Sequence, residues 1–306
     1  MLTWLKGIIP PLVTPYDEQG RIDTQALRDE IEFLIGCGAS GLCVGGSTGE
    51  GAGLKPEELF ELCSVCVEQS RDRVPVIGGA IPDTTDEAIV LGLAAKSAGC
   101  CALQITPPHY LFQPDNTELT SYYSCIREKT ELPIILYNVM PWALVGVDGV
   151  GCLVKAGAIE GVKQSGSSLH LLADLLLQFG DVLPILSAVD DLLYPSFVLG
   201  SPGSISMIVT VMPKEAVGLY RAVQAGDSRR ALELHKKLLI VLRALEGWQG
   251  LHARVKAAIT LQGRAVGNPR HPFSPASDED KLRVRRALEE AGVHLANQAT
   301  ARQART

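Results

Sequence analysis

The stretch AIEGVKQSG, residues 158–166, sets Lys163 into a run of small and apolar residues. An ammonium group is costly to desolvate, and lysine is rarely buried without a partner or a purpose. Two other segments carry groups that could work with such an amine. LPIILYN ends in Tyr137 and Asn138, and GGSTGE, Gly45 to Glu50, joins a glycine-rich turn to the hydroxyls of Ser47 and Thr48. Desolvation favours the neutral amine, which can attack a ketone to form a Schiff base, an electron sink for breaking a neighbouring carbon–carbon bond. A phenol can carry the protons that this chemistry moves. Backbone N–H groups at a turn that opens a helix suit a carboxylate, so the parts together fit a 2-oxo acid. Each part also has an ordinary reading. A strand-end lysine can ion-pair, a tyrosine can simply pack, and a glycine turn can serve the backbone alone. Only joint placement favours chemistry.

The elements that would place them are marked by a recurring glycine. CGASGLCVGG (37–46), AGCCALQITP (98–107) and AGAIEGVKQS (156–165) each put glycine after a helical pattern and before a short apolar run. That is the punctuation of a helix end followed by a buried parallel strand. Leu27, Ile31, Leu34 and Ile35 keep helical spacing, as do Leu59, Leu62, Cys63 and Cys66, with Pro56 placed for a first turn. Further strands are expected at 8–13, 74–77, 134–137, 182–186 and 204–207. Eight βα units predict an α/β TIM (β/α)8 barrel with a C-terminal helical extension, an open doubly wound sheet being the alternative. The barrel is expected over 1–225, helices packed on it over 226–293, with Ser277 capping the last, and a frayed tail over 294–306. Active sites of such barrels gather at the C-terminal ends of the strands, where Lys163, Tyr137 and the 45–50 turn all fall.

Composition narrows the class. The chain has 306 residues, 46% of them hydrophobic, and a net charge of −6, which gives no broad attraction for nucleic acid or acidic membranes. Its eight cysteines sit mostly in apolar contexts, which suits reduced thiols in a cytoplasmic protein. Cys63 and Cys66 have metal-like spacing but no second pair, and they fall on an apolar helix face, so they read as core. No metal or cofactor is called for. The N-terminus lacks a secretory pattern, and prolines and glycines interrupt the uncharged stretch 192–213, so a soluble protein is expected.

GLCVGGSTGE, LPIILYNV and IEGVKQSG resemble the three signature segments of the dihydrodipicolinate synthase and N-acetylneuraminate lyase superfamily. The likeness runs from GIIPPLVTPYDEQGRID to RHPFSPASDEDKLRVRRALEEAG, nearly the whole chain. It implies a TIM barrel, a homotetramer built as a dimer of dimers, and Schiff-base chemistry on pyruvate and an aldehyde without a cofactor. It makes Lys163 the Schiff-base lysine and Tyr137 the catalytic phenol. Thr48 becomes a proton-relay hydroxyl, and Ser47 with Gly46 and Thr48 the carboxylate cradle. Ser165 is implied beside the substrate, and Glu50 in a structural, helix-opening role. The synthase branch follows its tyrosine–asparagine pair with an arginine that grips the second substrate. Here Trp142 stands at about that position, which removes the guanidinium fork. His109 takes the place of a tyrosine lent across the dimer interface, with Tyr110 one residue later. Ala188, Asp190 and Asp191 loosely match the lyase branch's contacts to a hydroxylated chain, although Asp190 as a cap on the next helix is the favoured reading. Trp142, Met207 and Pro108 suggest a less polar distal pocket. The expected activity is a lyase or aldolase making or breaking a C–C bond of a 2-oxo acid. The alternatives are a 2-keto-3-deoxy sugar-acid dehydratase, a synthase-like condensation, or a silent paralogue that only binds a 2-oxo or sugar acid.

Overall fold

The computed structural model describes residues 2–166, 168–247 and 249–296. Eight strands alternate with helices: β1 (Gly7–Ile8), β2 (Leu42–Val44), β3 (Val76–Ala80), β4 (Ala102–Ile105), β5 (Ile134–Asn138), β6 (Gly161–Gln164), β7 (Ile185–Ser187) and β8 (Gly203–Ser204). All pair in parallel, in the order β1-β8-β7-β6-β5-β4-β3-β2. The chain just beyond β1 closes the ring. Pro11 bridges Cys43, the Leu12 N–H donates to the Cys43 carbonyl, and the Cys43 N–H donates to the Pro10 carbonyl. The molecule is therefore a closed TIM barrel, not an open sheet. The strand expected over 8–13 is interrupted because Pro10 and Pro11 have no N–H to give a ladder.

The helices between strands are α1 (Thr24–Gly36), α2 (Pro56–Ser70), α3 (Thr85–Ser97), α4 (Asn116–Thr130), α5 (Val147–Lys155), α6 (Leu169–Phe179) and α7 (Leu193–Val198). After β8 come α8 (Met207–Val211), α9 (Pro213–Gln224), α10 (Ser228–Leu245), α11 (Leu251–Leu261) and α12 (Asp278–Glu290). The 204–207 strand expectation is corrected here: β8 ends at Ser204, and Met207 opens α8. Strand β7 likewise begins only at Ile185, after Pro184. Pro56 starts α2, and the Ser277 hydroxyl accepts from the Asp280 N–H at 3.0 Å to cap α12. Cys63 and Cys66 are buried with Leu59 and Leu62 in the layer between strands and helices. Among the described residues no helix is long and apolar enough to cross a membrane.

Alternate strand residues fill the barrel itself. Leu5, Ile9, Cys43, Ile77, Ala102, Ile135, Leu186 and Ile205 form its interior cluster. A second apolar core joins α8, α9, α10, α11 and α12 to Ile8 of β1 and to Leu193 and Phe197 of α7. A buried ion pair, Arg264 Nε to Glu30 Oε2 at 2.9 Å, ties the chain after α11 back to α1. The Ala296 N–H donates to the Leu261 carbonyl at 3.0 Å, and the expected tail beyond it, 297–306, lies outside the described residues.

Candidate active site

Parallel pairing makes Tyr137 on β5 and Lys163 on β6 register partners, so both side chains point into the barrel at its C-terminal end. Each is only 4% exposed. The Lys163 Nζ lies 3.8 Å from the centroid of the Tyr137 ring, and none of the ion pairs among the described residues involves it. The ordinary ion-pair reading of this lysine therefore fails. Instead the amine rests on an aromatic face beneath the barrel mouth. From there the Tyr137 hydroxyl donates to the Ser47 Oγ at 3.0 Å. Three segments distant in sequence meet at one point.

The turn carrying Ser47 is shaped by its glycines. Gly45 adopts φ 82°, and a Cβ there would come within 2.7 Å of the Gly79 carbonyl oxygen. Gly51 would bring one to 1.8 Å from the Gly45 carbonyl oxygen. Side chains are excluded at both, so the backbone folds tightly enough to start a short 3-10 turn at Ser47–Gly49, with Gly46 at its open end. Ser47 and Thr48 are half-buried at the mouth. The Thr14 hydroxyl fixes the turn from below by donating to the Gly49 carbonyl at 2.6 Å.

The C-terminal helices hold the same turn, which sequence reasoning missed. His252, on α11, donates from Nε2 to the Ser47 carbonyl at 2.9 Å. One turn along, the buried Lys256 pairs with Glu50 at 2.7 Å and donates to the Asn268 carbonyl at 2.9 Å. The Arg270 N–H donates to the Glu50 Oε2 at 2.9 Å. Glu50 is thus structural, as expected, but it does not open a helix. It sits at φ 60° between two 3-10 turns, and α2 begins at Pro56. The i, i+4 spacing of His252 and Lys256 on one helix face was the available signal.

The remaining candidates line the rim. The Asn138 amide bonds to Val145 at both ends, Nδ2 to the carbonyl at 2.9 Å and Oδ1 from the N–H at 2.8 Å, which fixes the loop that carries Trp142. Trp142 is 59% exposed and donates from Nε1 to the His109 carbonyl at 2.8 Å. Asp83 Oδ1 accepts from the N–H groups of His109 and Tyr110, each at 2.8 Å, and lies 3.3 Å from the His109 ring nitrogen. The His109 side chain is only 14% exposed while Tyr110 is 73% exposed, so within one chain Tyr110 is not brought to the buried Tyr137. Ser165 is buried at the end of β6, its N–H donating to the Asn138 carbonyl at 3.0 Å. Ala188 follows β7, its N–H donating to the Gln164 carbonyl at 2.7 Å.

Asp190 caps a helix, but not the next one. Its Oδ1 accepts from the Ile208 N–H at 2.7 Å, in the first turn of α8 beyond β8. Burial pushes its carboxyl up to about 6, against the pull of that N–H and of the Lys163 charge. An unfolded aspartate ionises near pH 4, roughly. The folded chain therefore holds an extra proton between the two values and loses stability as pH rises through that window. Asp190→Asn keeps the acceptor without the titration. Its melting temperature should match the wild type at pH 4 and exceed it at pH 7; an equal offset at both would reject this.

Residues 4–291 match the model of the dihydrodipicolinate synthetase family. The 4-hydroxy-tetrahydrodipicolinate synthase of Methanopyrus kandleri is 34% identical over 293 residues, 94% of this chain and 97% of that one. The Anaeromyxobacter enzyme of the same name is 36% identical over 297 residues, 95% and 99%. Among solved structures, dihydrodipicolinate synthase from Aquifex aeolicus superposes with TM-score 0.88 at 30% identity, covering 96% of this chain and 100% of that one. A prophage protein of the dihydrodipicolinic acid synthase family from E. coli K12, in complex with pyruvate, gives 0.90 at 27%, covering 95% and 99%.

Proposed function

Since the chain belongs to the dihydrodipicolinate synthetase family, we propose that it is a Schiff-base lyase or aldolase using pyruvate as donor or product. Lys163 is the nucleophile. Its neutral nitrogen attacks the ketone carbon, the oxygen takes one proton from that nitrogen and a second from the tyrosine relay, and water leaves as the iminium C=N bond forms. Tyr137 carries protons in these steps and in C–C cleavage, passing them through Ser47 and Thr48 to the mouth. The turn at Gly46, Ser47 and Thr48 holds the carboxylate, and Ser165, Ala188 and Asp190 border the space for the carbonyl partner. One observation carries this reading: a buried amine, paired with no carboxylate among the described residues, rests on a phenol that is hydrogen-bonded to the serine of a glycine turn. The likeness to a pyruvate-bound relative supports the substrate.

The curated relatives' names favour a second reading, a condensation like theirs. Residues 139–146, VMPWALVG, contain no cation where the synthase branch sets its arginine, so cleavage stands first. The same resemblance makes the protein a cytoplasmic homotetramer. The exposed run Tyr110, Leu111 and Phe112 beside His109 is the surface a partner subunit would cover. In our reading the chain from 226 on is an appendage that braces the barrel. Borohydride reduction in the presence of pyruvate should add one pyruvate-derived mass to the peptide containing Lys163. No mass gain, with pyruvate bound by calorimetry, would leave only a silent binder. A panel of aldehydes and 2-keto-3-deoxy acids, read by pyruvate consumed or released, separates cleavage from condensation and dehydration.

A further inference from the structure

Two polar side chains inside the barrel are not used by this scheme. Gln104 and Thr106, on and just past β4, have no exposed surface, and the Gln104 Nε2 and Oε1 and the Thr106 Oγ1 have no hydrogen-bond partner among the described residues. Ala102 faces the barrel interior, and side chains on a strand alternate, so 104 and 106 face inward too. A strand barrel of this kind steps about one residue per strand around its axis. Applied to the observed pairings, that step puts Cys43, Gln104 and Lys163, on β2, β4 and β6, and Ile205, just past β8, in a single layer. Gln104 reaches the catalytic turn as well: a Cβ on Gly46 would stand 3.5 Å from its Nε2.

An amide buried with both ends unpaired is destabilising, and native cores rarely keep one without a use. At this place the groups that come and go are the substrate and water. We propose that Gln104 is a further catalytic residue, whose amide binds the substrate's keto oxygen as it becomes a hydroxyl and leaves as water, Thr106 completing the site. This rests on the Schiff-base reading of Lys163. In the step, the nitrogen lone pair forms the C=N bond and the C–O bond breaks. The oxygen takes its proton from the tyrosine relay, and Gln104 Nε2–H donates to it throughout. In hydrolysis the same amide orients the returning water, its Oε1 accepting one O–H. An amide, donor and acceptor at once, suits an oxygen that passes from ketone to hydroxyl to water.

The test is quench-flow trapping with pyruvate and borohydride, because a group serving both directions changes the rate of approach and not the final level. Gln104→Met, matched in volume, should melt at or above the wild-type temperature and reach the same trapped fraction within about twofold. Its approach should be slower by roughly 100-fold, the scale for loss of one aligned donor. Gln104→Asn should recover part of the rate, and Thr106→Val should slow it in the same direction. A wild-type approach rate in Gln104→Met would overturn the proposal while leaving the lysine's role intact; should Gln104→Met not fold, Gln104→Leu is read in the same way. Absence of trapping in the wild type removes the Schiff-base reading itself.

Discussion

Lys163→Ala should abolish turnover and leave the fold standing. On the proposed reading the Lys163 amine is the nucleophile, and a phenol or hydroxyl beside it cannot form an iminium in its place. The loss should be on the order of a millionfold, the scale for deletion of an enzymic nucleophile. Stability should hardly move, because the buried lysine has no carboxylate partner among the described residues. Removing it gives up some methylene packing but also a poorly solvated amine, and the two effects oppose one another. Turnover, thermal melting and borohydride trapping on one preparation decide the matter. A folded variant working at near-normal rate would reject covalent catalysis outright. Lys163→Arg is a useful companion, since it keeps a cation over the Tyr137 ring yet cannot form a Schiff base.

Tyr137→Phe should lower kcat by about 100- to 1000-fold, within the range for loss of a positioned proton carrier. The ring remains, so the surface beneath the Lys163 amine is preserved, and only the bond from the phenol to the Ser47 Oγ is lost. Ser47 is half-buried and can turn to water, so the fold cost is small. The split between constants is diagnostic. A proton carrier lowers kcat with little change in KM, whereas a binding group raises KM and spares kcat. Should KM alone respond, the phenol would be holding substrate and the proton route would have to start elsewhere.

Both predictions concern residues that the sequence singled out without coordinates, because their signals are local. Glycine after each helical pattern, short apolar runs and helical spacing at Leu59, Leu62, Cys63 and Cys66 depend on neighbours within about a turn or two, and such patterns survive in one dimension. They marked the strands well enough to put Tyr137 and Lys163 on adjacent ones, and the first and last strands were misjudged where proline or a short element broke the pattern. Pro10 and Pro11 interrupt the first strand, and Met207 leaves the last strand for a helix because the ladder ends at Ser204.

What the sequence determined by itself was the barrel and the three segments at its mouth, since hydrophobic period and turn chemistry are written residue by residue. Closure of the ring decided the rest. The Ser47 carbonyl meets His252 and Glu50 meets the Arg270 N–H, with more than 200 residues between the partners, and Asp190 caps a helix that follows a different strand. No local pattern encodes such pairs. Gln104 reads as one polar residue in a strand until the register around the barrel sets it in the layer of Lys163. Which side chains share a layer is a property of the closed sheet, not of any segment in it.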